Sequence, residues 1–418
     1  MSFLPPELIF DILSRLPPKD LMRFLCVSEA WYALIHDQIF IKAHLQRSIE
    51  TNSAPLTILL RKFSPECPPS HFFSLSFSDN ETIGTAVKTE QPLKCPDEYT
   101  DILLDYSVHG LVWIHNDDES DMALWNPSIQ KFKKIHVPNF EPDASSSSGS
   151  EMEQRREPRD TCYGFGYDSV HDDYKLVQIF EFANEGRIVG SQVHIYSLKS
   201  NSWKRIQDMP WNCFGIHHDY LMFCDGALSC LVYNRLCTNQ VIILTLSLAS
   251  EKYCQCRIPV HHLSINESRL ILTVLGGCLC LCDTFLETQH DVWIMKEYGV
   301  AESWTLLYSI EGGDLPWSID FMCVPLVFSR DGEMVLLSDN NTTFFWYDLK
   351  GKSFKRAQFH GRPYLYEMTV VCWGSLCLLD GDPVIAEPET ERQQKVPTTS
   401  TKSKYSSSED EETYDDWY

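Results

Sequence analysis

The eight residues Tyr196-Ser197-Leu198-Lys199-Ser200-Asn201-Ser202-Trp203 set an aromatic at each end of a run of turn formers, the pattern of two short strands joined by a hairpin. The spacing returns along the chain. Trp125 and Phe132 enclose Asn126-Pro127-Ser128, Leu246 and Tyr253 enclose Ala249-Ser250, and Tyr347 and Phe354 enclose Lys350-Gly351-Lys352. Trp293 to Trp304 reads as a longer-looped version. The closing residues Trp203, Tyr253, Trp304 and Phe354 recur about every fifty positions, and Phe132 falls into step once a loop of roughly twenty residues is set aside.

Upstream of these hairpins stand glycine-led strands: His109-Gly110-Leu111-Val112-Trp113, Asp225-Gly226-Ala227-Leu228, Gly276-Gly277-Cys278-Leu279 and Asp331-Gly332-Glu333-Met334. A last one, Trp373-Gly374-Ser375-Leu376-Cys377, has no aromatic hairpin behind it. Its missing strands can come from residues 56–60 and 72–77, closing a ring. A period near fifty with four strands per unit suits a mainly β fold, a kelch-like β-propeller of six blades, because radial repetition hides sheet edges and buries each aromatic between adjoining blades. Binding then falls to loops on one face of the ring. The excess loop is residues 141–160, a serine-rich, mixed-charge stretch without apolar period that should be disordered.

The front of the chain, residues 1–46, has another character. In Leu4-Pro5-Pro6-Glu7-Leu8-Ile9-Phe10-Asp11-Ile12-Leu13-Ser14-Arg15-Leu16-Pro17, prolines bracket Leu8, Ile9, Ile12, Leu13 and Leu16 at helical spacing. Asp20 can cap a second helix carrying Leu21, Phe24, Leu25 and Val27, and Ser28 a third carrying Trp31, Leu34 and Ile35. Three short helices cannot bury that much apolar surface alone, which predicts a docking module.

These residues also carry a resemblance. Leu4-Pro5, Glu7-Leu8, Ile12 to Pro17, Leu21, Phe24, Cys26-Val27-Ser28, Trp31 and Ile35 resemble the F-box, the segment by which substrate receptors dock onto a Skp-type adaptor in cullin-based ubiquitin ligases; Leu25 and Glu29 stand where that family usually has a basic residue. The resemblance implies adaptor contact through Leu4, Pro5, Leu8, Ile12, Leu13, Leu16, Pro17, Leu21, Val27 and Trp31, several of which must also hold the helices together. A second resemblance lies in Gly164-Phe165-Gly166-Tyr167-Asp168, Asp173-Tyr174-Lys175-Leu176-Val177, Val193 to Leu198 and Ser202-Trp203-Lys204, extended by Trp293 to Val300 and Glu302-Ser303-Trp304: the chain is similar to the F-box-associated domain of plants, spanning residues 47–381. The plant family includes receptors that limit immune-receptor levels, the constitutive-expresser-of-PR-genes subgroup toward which the likeness leans, and receptors of pollen self-recognition. Nothing in these residues chooses between such targets. The implied function is a non-catalytic substrate-recognition subunit of a Skp-cullin-F-box ligase, with a protein target of unknown identity over the propeller loops.

Composition narrows the alternatives. Asp and Glu number 58 against 35 Lys and Arg, a net charge of −23, which leaves no basic stripe for nucleic acid or an anionic membrane. The greasy runs near Val241 and Leu270 are too short to span a bilayer, and no charged n-region precedes an apolar stretch, so the chain is expected in cytoplasm and nucleus. Thiols should then stay reduced, with Cys278, Cys280 and Cys282 on one strand face as core residues. Cys254 and Cys256 followed by His261 and His262 fit no zinc-finger spacing, and no metal or cofactor is expected. Gly164 and Gly166 lack the third glycine and following helix of a nucleotide loop. A kelch-type copper oxidase, a non-ligase binder and a glycan-binding lectin are the rival classes. Residues 382–418, rich in Pro, Thr, Ser and acid, read as a disordered tail in which Ser406, Ser407 and Ser408, just before Glu409-Asp410-Glu411-Glu412, could be phosphorylated by an acid-directed kinase or simply solvate it.

Overall fold

The computed structural model describes residues 4–51, 56–62, 71–76, 84–94, 101–116, 121–138, 157–184, 187–216, 220–234, 240–259, 268–285, 288–311, 323–338, 343–357, 368–378 and 380–384. Residues 141–156 of the expected insert, the tail beyond Val384 with Ser406, Ser407 and Ser408, and His261 and His262 lie outside them. The last four positions of the expected insert open a strand, Glu157–Asp168.

Four helices lead, where sequence reading expects three: α1 (Pro6–Leu13), α2 (Pro18–Phe24), α3 (Glu29–His36) and α4 (Gln38–Glu50). Proline begins α1 and α2, where its missing N–H costs nothing. Asp20 is not the cap of α2: Pro17 holds that place, and Asp20 sits in the first turn, paired with Arg23 at 3.1 Å. Ser28 does cap α3, accepting from the Trp31 amide at 3.2 Å. α4 was hidden by its weak apolar period. Its signal is Asp37, whose carboxylate accepts from the Ile39 amide at 2.7 Å.

Behind the helices the described strands form five sheets, of 4, 9, 4, 4 and 5 strands, along which six antiparallel sets of four can be followed; the third and fourth sets belong to the nine-stranded sheet, joined by a parallel pair. The first joins both ends of the β region: Met368–Trp373 pairs with Leu56–Lys62, then His71–Ser76 and Val87–Thr89. The second is Ile102–Val108, Leu111–Asn116, Met122–Asn126 and Lys131–Ile135, with Asp382–Pro383 added at its edge. The third is Glu157–Asp168, Asp173–Asn184, Arg187–Ser197 and Ser202–Arg205; the fourth is Tyr220–Cys224, Ala227–Asn234, Gln240–Ser247 and Tyr253–Arg257. The fifth is Ser268–Leu275, Cys278–Phe285, Gln289–Met295 and Trp304–Glu311; the sixth is Val324–Phe328, Met334–Ser338, Phe344–Asp348 and Ser353–Arg356.

The sets pack on one another in chain order, in a propeller-like arrangement. Leu59, Phe72 and Val370 of the first share a buried cluster with Ile114 and Trp125 of the second, whose Trp113 and Leu124 share another with Phe165 and Leu176 of the third. Further clusters join third to fourth, fourth to fifth and fifth to sixth, and Phe344 and Trp346 of the sixth pack on Ile58, Leu60 and Leu75 of the first.

Four aromatic hairpins close in the register read from sequence: Trp125 opposite Phe132, Tyr196 opposite Trp203, Leu246 opposite Tyr253, Tyr347 opposite Phe354. The longer version is shifted. Trp304 faces Met295, and Trp293 faces Leu306, because a 3-10 turn over Ala301–Ser303 lengthens the loop. The closing rings also bridge sets through their polar edges. Trp203 Nε1 donates to the His136 carbonyl at 2.8 Å, Tyr253 Oη to Gln207 at 3.2 Å and Trp304 Nε1 to Arg257 at 3.2 Å, in each case the carbonyl four residues past the preceding closing aromatic.

Each of the four regular hairpins bends through a left-handed residue at one position, five past its first member: Gln130, Asn201, Glu251 and Lys352, with φ of 53°, 50°, 57° and 49°. Side chains other than Asn and Gly pay about 1–2 kcal/mol there, and Gly adds about 0.5–1 kcal/mol of chain entropy to lose. Exposed Lys352→Gly should therefore stabilise the protein by roughly 0.5 kcal/mol, read as a small rise in urea midpoint at unchanged m-value.

Gly164 and Gly166 serve packing. A Cβ on Gly164 would stand 2.8 Å from Leu221, and one on Gly166 2.5 Å from Phe223 and 2.6 Å from Leu248, because the third set's first strand runs parallel beside Tyr220–Cys224 here. Trp373-Gly374-Ser375-Leu376-Cys377 is not a glycine-led strand. The strand ends at Trp373, and the residues after it turn toward the helices.

Candidate functional site: the uncovered face of the helices

Leu4, Leu8 and Ile12 lie along one side of α1 and its lead-in, 57%, 49% and 48% exposed, and Val27 stands at 55% in the α2–α3 turn. Pro5 and Pro17 are exposed too, whereas Leu16 and Trp31 are half-buried. Leu13 and Leu21 stand apart from this set. Both are buried, packing with Ile35, Phe40 and Ile41 as the centre of the bundle, because the α1 and α2 faces they occupy point at α4.

Between α1 and α3 lies an apolar groove of about 590 Å³, lined by Pro6, Glu7, Ile9, Phe10, Ala30, Trp31 and Leu34. Phe24 meets Trp31 edge-on at 5.5 Å and Phe10 meets Phe40 at 5.2 Å, fixing its walls. Of these lining residues sequence reading singled out only Trp31 for contact. Ile9 and Leu34 read from sequence as helix-packing residues, and the approach of α1 to α3 makes them groove walls.

The helices do not bury their inner face alone. Ile129, from the second set's hairpin, and Leu376 enter their core. Asn126 holds the Leu376 segment, its amide donating to the Ser375 carbonyl at 3.0 Å and the Cys377 carbonyl at 2.8 Å. α4 is tied on two sides. Arg47 donates to Asp11 at 2.8 Å and to Ser14, and Lys42 pairs with Asp172 of the third set. Asp172 accepts from Tyr167 at 2.6 Å; Tyr167 and Tyr174 both pack on His109, whose imidazole burial holds neutral at a pKa of about 4. The Tyr167-Asp168 and Asp173-Tyr174-Lys175 strings therefore build the seat of the helices.

Asp168 fixes that turn, accepting from the Val170 and His171 amides at 3.0 and 3.1 Å and from Lys175 at 2.7 Å. Burial works to raise its carboxyl, but the Lys175 and His171 hydrogen bonds outweigh this and hold it at about 2. A depressed pKa stabilises above the unfolded value of about 4 and loses that contribution as pH falls toward the folded one. The stability gap between wild type and Asp168→Asn should stay constant from neutral pH to about 4 and close toward pH 2, in urea titrations at each pH.

Other sequence candidates stay structural. Cys280 and Cys282 are buried, and burial pushes the Cys280 thiol up to about 12. Among the described residues no group of three His, Cys, Asp or Glu side chains is placed to hold a metal, and no helix is long and apolar enough to cross a membrane.

A small helical cap with an uncovered apolar face, seated on a propeller-like body of antiparallel strands, is the domain pairing of F-box proteins with an associated β-propeller domain. The F-box domain family matches residues 1–43 and the F-box associated beta propeller domain family residues 69–375. F-box protein CPR1 of Arabidopsis thaliana is 30% identical, over 94% of both chains; an F-box/kelch-repeat protein of that plant is 27% identical over 80% of this chain and 85% of its own, and F-box/WD-40 repeat-containing protein 1 is 28% identical over 77% and 72%. The chain belongs to the plant F-box proteins with an F-box-associated domain.

Proposed function

We propose that this chain is the substrate-recognition subunit of a Skp-cullin-F-box ubiquitin ligase, working in cytoplasm and nucleus and doing no bond chemistry itself. The observation that carries the reading is the apolar surface left open on α1 and the α2–α3 turn, Leu4, Leu8, Ile12 and Val27 beside the α1–α3 groove. Such a surface fits the adaptor, with Pro5, Leu16, Pro17 and Trp31 around it. Leu13 and Leu21 act by shaping the bundle.

We read the six sets as six blades of a closed ring, with a target protein held over loops away from the helices. Because Ile129 and Leu376 lock cap to ring, the target stands at a set distance from the ligase, and a target lysine gains effective concentration near the charged ubiquitin carrier. The direct test is calorimetric titration of the full chain with a purified Skp-type adaptor. A one-to-one complex is expected at nanomolar to low micromolar affinity; no heat and no co-elution would overturn the reading.

A further inference from the structure

The outermost strand of every sheet leaves backbone donors and acceptors facing outward, an invitation to a further strand. Among the described residues, five of the six sets have an outer strand that is short, charged or covered. Ser202–Arg205 and Ser353–Arg356 are 4 residues long and carry Lys204, Arg205, Lys355 and Arg356. Val87–Thr89 is 3 residues long around Lys88, and Tyr253–Arg257 is 5 long and ends on Arg257. Lys131–Ile135 carries Lys131, Lys133 and Lys134 and is covered by Asp382–Pro383.

The fifth set is different. Its outer strand, Trp304–Glu311, is 8 residues long and holds no charge from Trp304 through Ile310. Thr305 and Leu306 are exposed, Leu306 at 43%, and Val300 is exposed in the preceding turn. Among the described residues no strand pairs with its outer side.

We infer that Trp304–Ile310 is an acceptor edge that takes an extended segment of the target protein by strand addition, a segment apolar in its middle and flanked by Lys or Arg. The charges select this occupant. Glu297 and Glu302 stand near one end, with Lys296 offsetting one of them, and Asp291 and Glu311 stand at the other. Basic flanks meet those carboxylates favourably. A second copy of this chain does not: antiparallel self-pairing sets acidic ends against acidic ends, on a chain of net charge −23. The register shift between the Val292–Tyr308 and Trp293–Leu306 pairs leaves Leu307 as a bulge and twists the edge, which a flexible segment can follow and a second rigid sheet cannot. That the segment belongs to the degradation target rests on the receptor reading; strand addition at this edge does not.

The test uses the full chain and a fluorescein-labelled probe peptide of alternating valine and threonine with two lysines at each end, beside a counterpart with glutamates at each end. Anisotropy should show the lysine-flanked probe binding at least about tenfold more tightly, with binding weakened at least about tenfold by Leu306→Lys and kept by Leu306→Thr. Amide exchange across Trp304–Ile310 should slow on binding. Absence of binding, or binding indifferent to Leu306→Lys, overturns the proposal, and so does a concentration-dependent dimer that Leu306→Lys removes, which would give the edge to a second copy. Adaptor titration on the same samples separates the two readings: peptide capture without adaptor capture overturns the receptor role and leaves the edge standing.

Discussion

Replacing Leu8 and Ile12 together by aspartate should weaken capture of a Skp-type adaptor by at least about hundredfold, or roughly 2.7 kcal/mol, while leaving the unfolding transition in place. Both side chains are half exposed in the free chain, so little folding energy rests on them. In a complex each would lose its remaining water contact, worth on the order of 1 kcal/mol apiece, and a buried unpaired carboxylate adds a larger penalty. Leu13→Ala is the instructive contrast. Leu13 is buried in the bundle centre, so its truncation should cost about 2–5 kcal/mol of stability and reduce adaptor binding only by loosening the helices. Calorimetric titration paired with circular dichroism melts distinguishes the two. Undiminished binding by the double aspartate variant would remove this face from the interface.

Gly110→Ala should lower stability by about 4 kcal/mol. Gly110 lies at φ +79° in a turn after His109, itself at +54°. Being held in that region costs a residue with a side chain about 1–3 kcal/mol. An added Cβ would in addition meet the Trp373 carbonyl oxygen and stand 2.6 Å from Ser375 Oγ, and the first of these is backbone that cannot swing away. Overpacking of this kind costs about 1–3 kcal/mol more. Ser375 also belongs to the segment that inserts Leu376 among the helices, so the damage should reach the cap: a lower denaturation midpoint accompanied by faster amide exchange in α4. A midpoint within about 0.5 kcal/mol of wild type would contradict the packing seen around this turn.

The hairpin spacing carried most of the fold because it is a local property. Tyr196 to Trp203 and its relatives need only a short turn and two outward-alternating strands, and those requirements are written in neighbouring residues. That residues 56–60 and 72–77 complete the last unit was legible by elimination, but the strand they join is Met368–Trp373 and not the expected 373–377. What failed was set by distant partners. Leu376 looked like a strand residue behind Gly374, yet its burial comes from helices more than 300 positions away. Trp293 and Trp304 looked like a pair, but a 3-10 turn moved the register. α4 escaped notice because much of its surface faces water or polar neighbours. In the site itself, the proline brackets and helical spacing identified the apolar set, but not which members face outward. Leu8 and Leu13 are indistinguishable by type; only the position of α4 sends one to water and the other to the core.

The first sheet is sewn from both ends of the β region, and the helices wait on Leu376 to complete their core. Neither unit can be finished before residues 368–376 are in place. A chain cut before residue 368 lacks a strand of the first sheet and leaves the helical core short of Leu376. The late residues thus clasp together two units that the early residues begin.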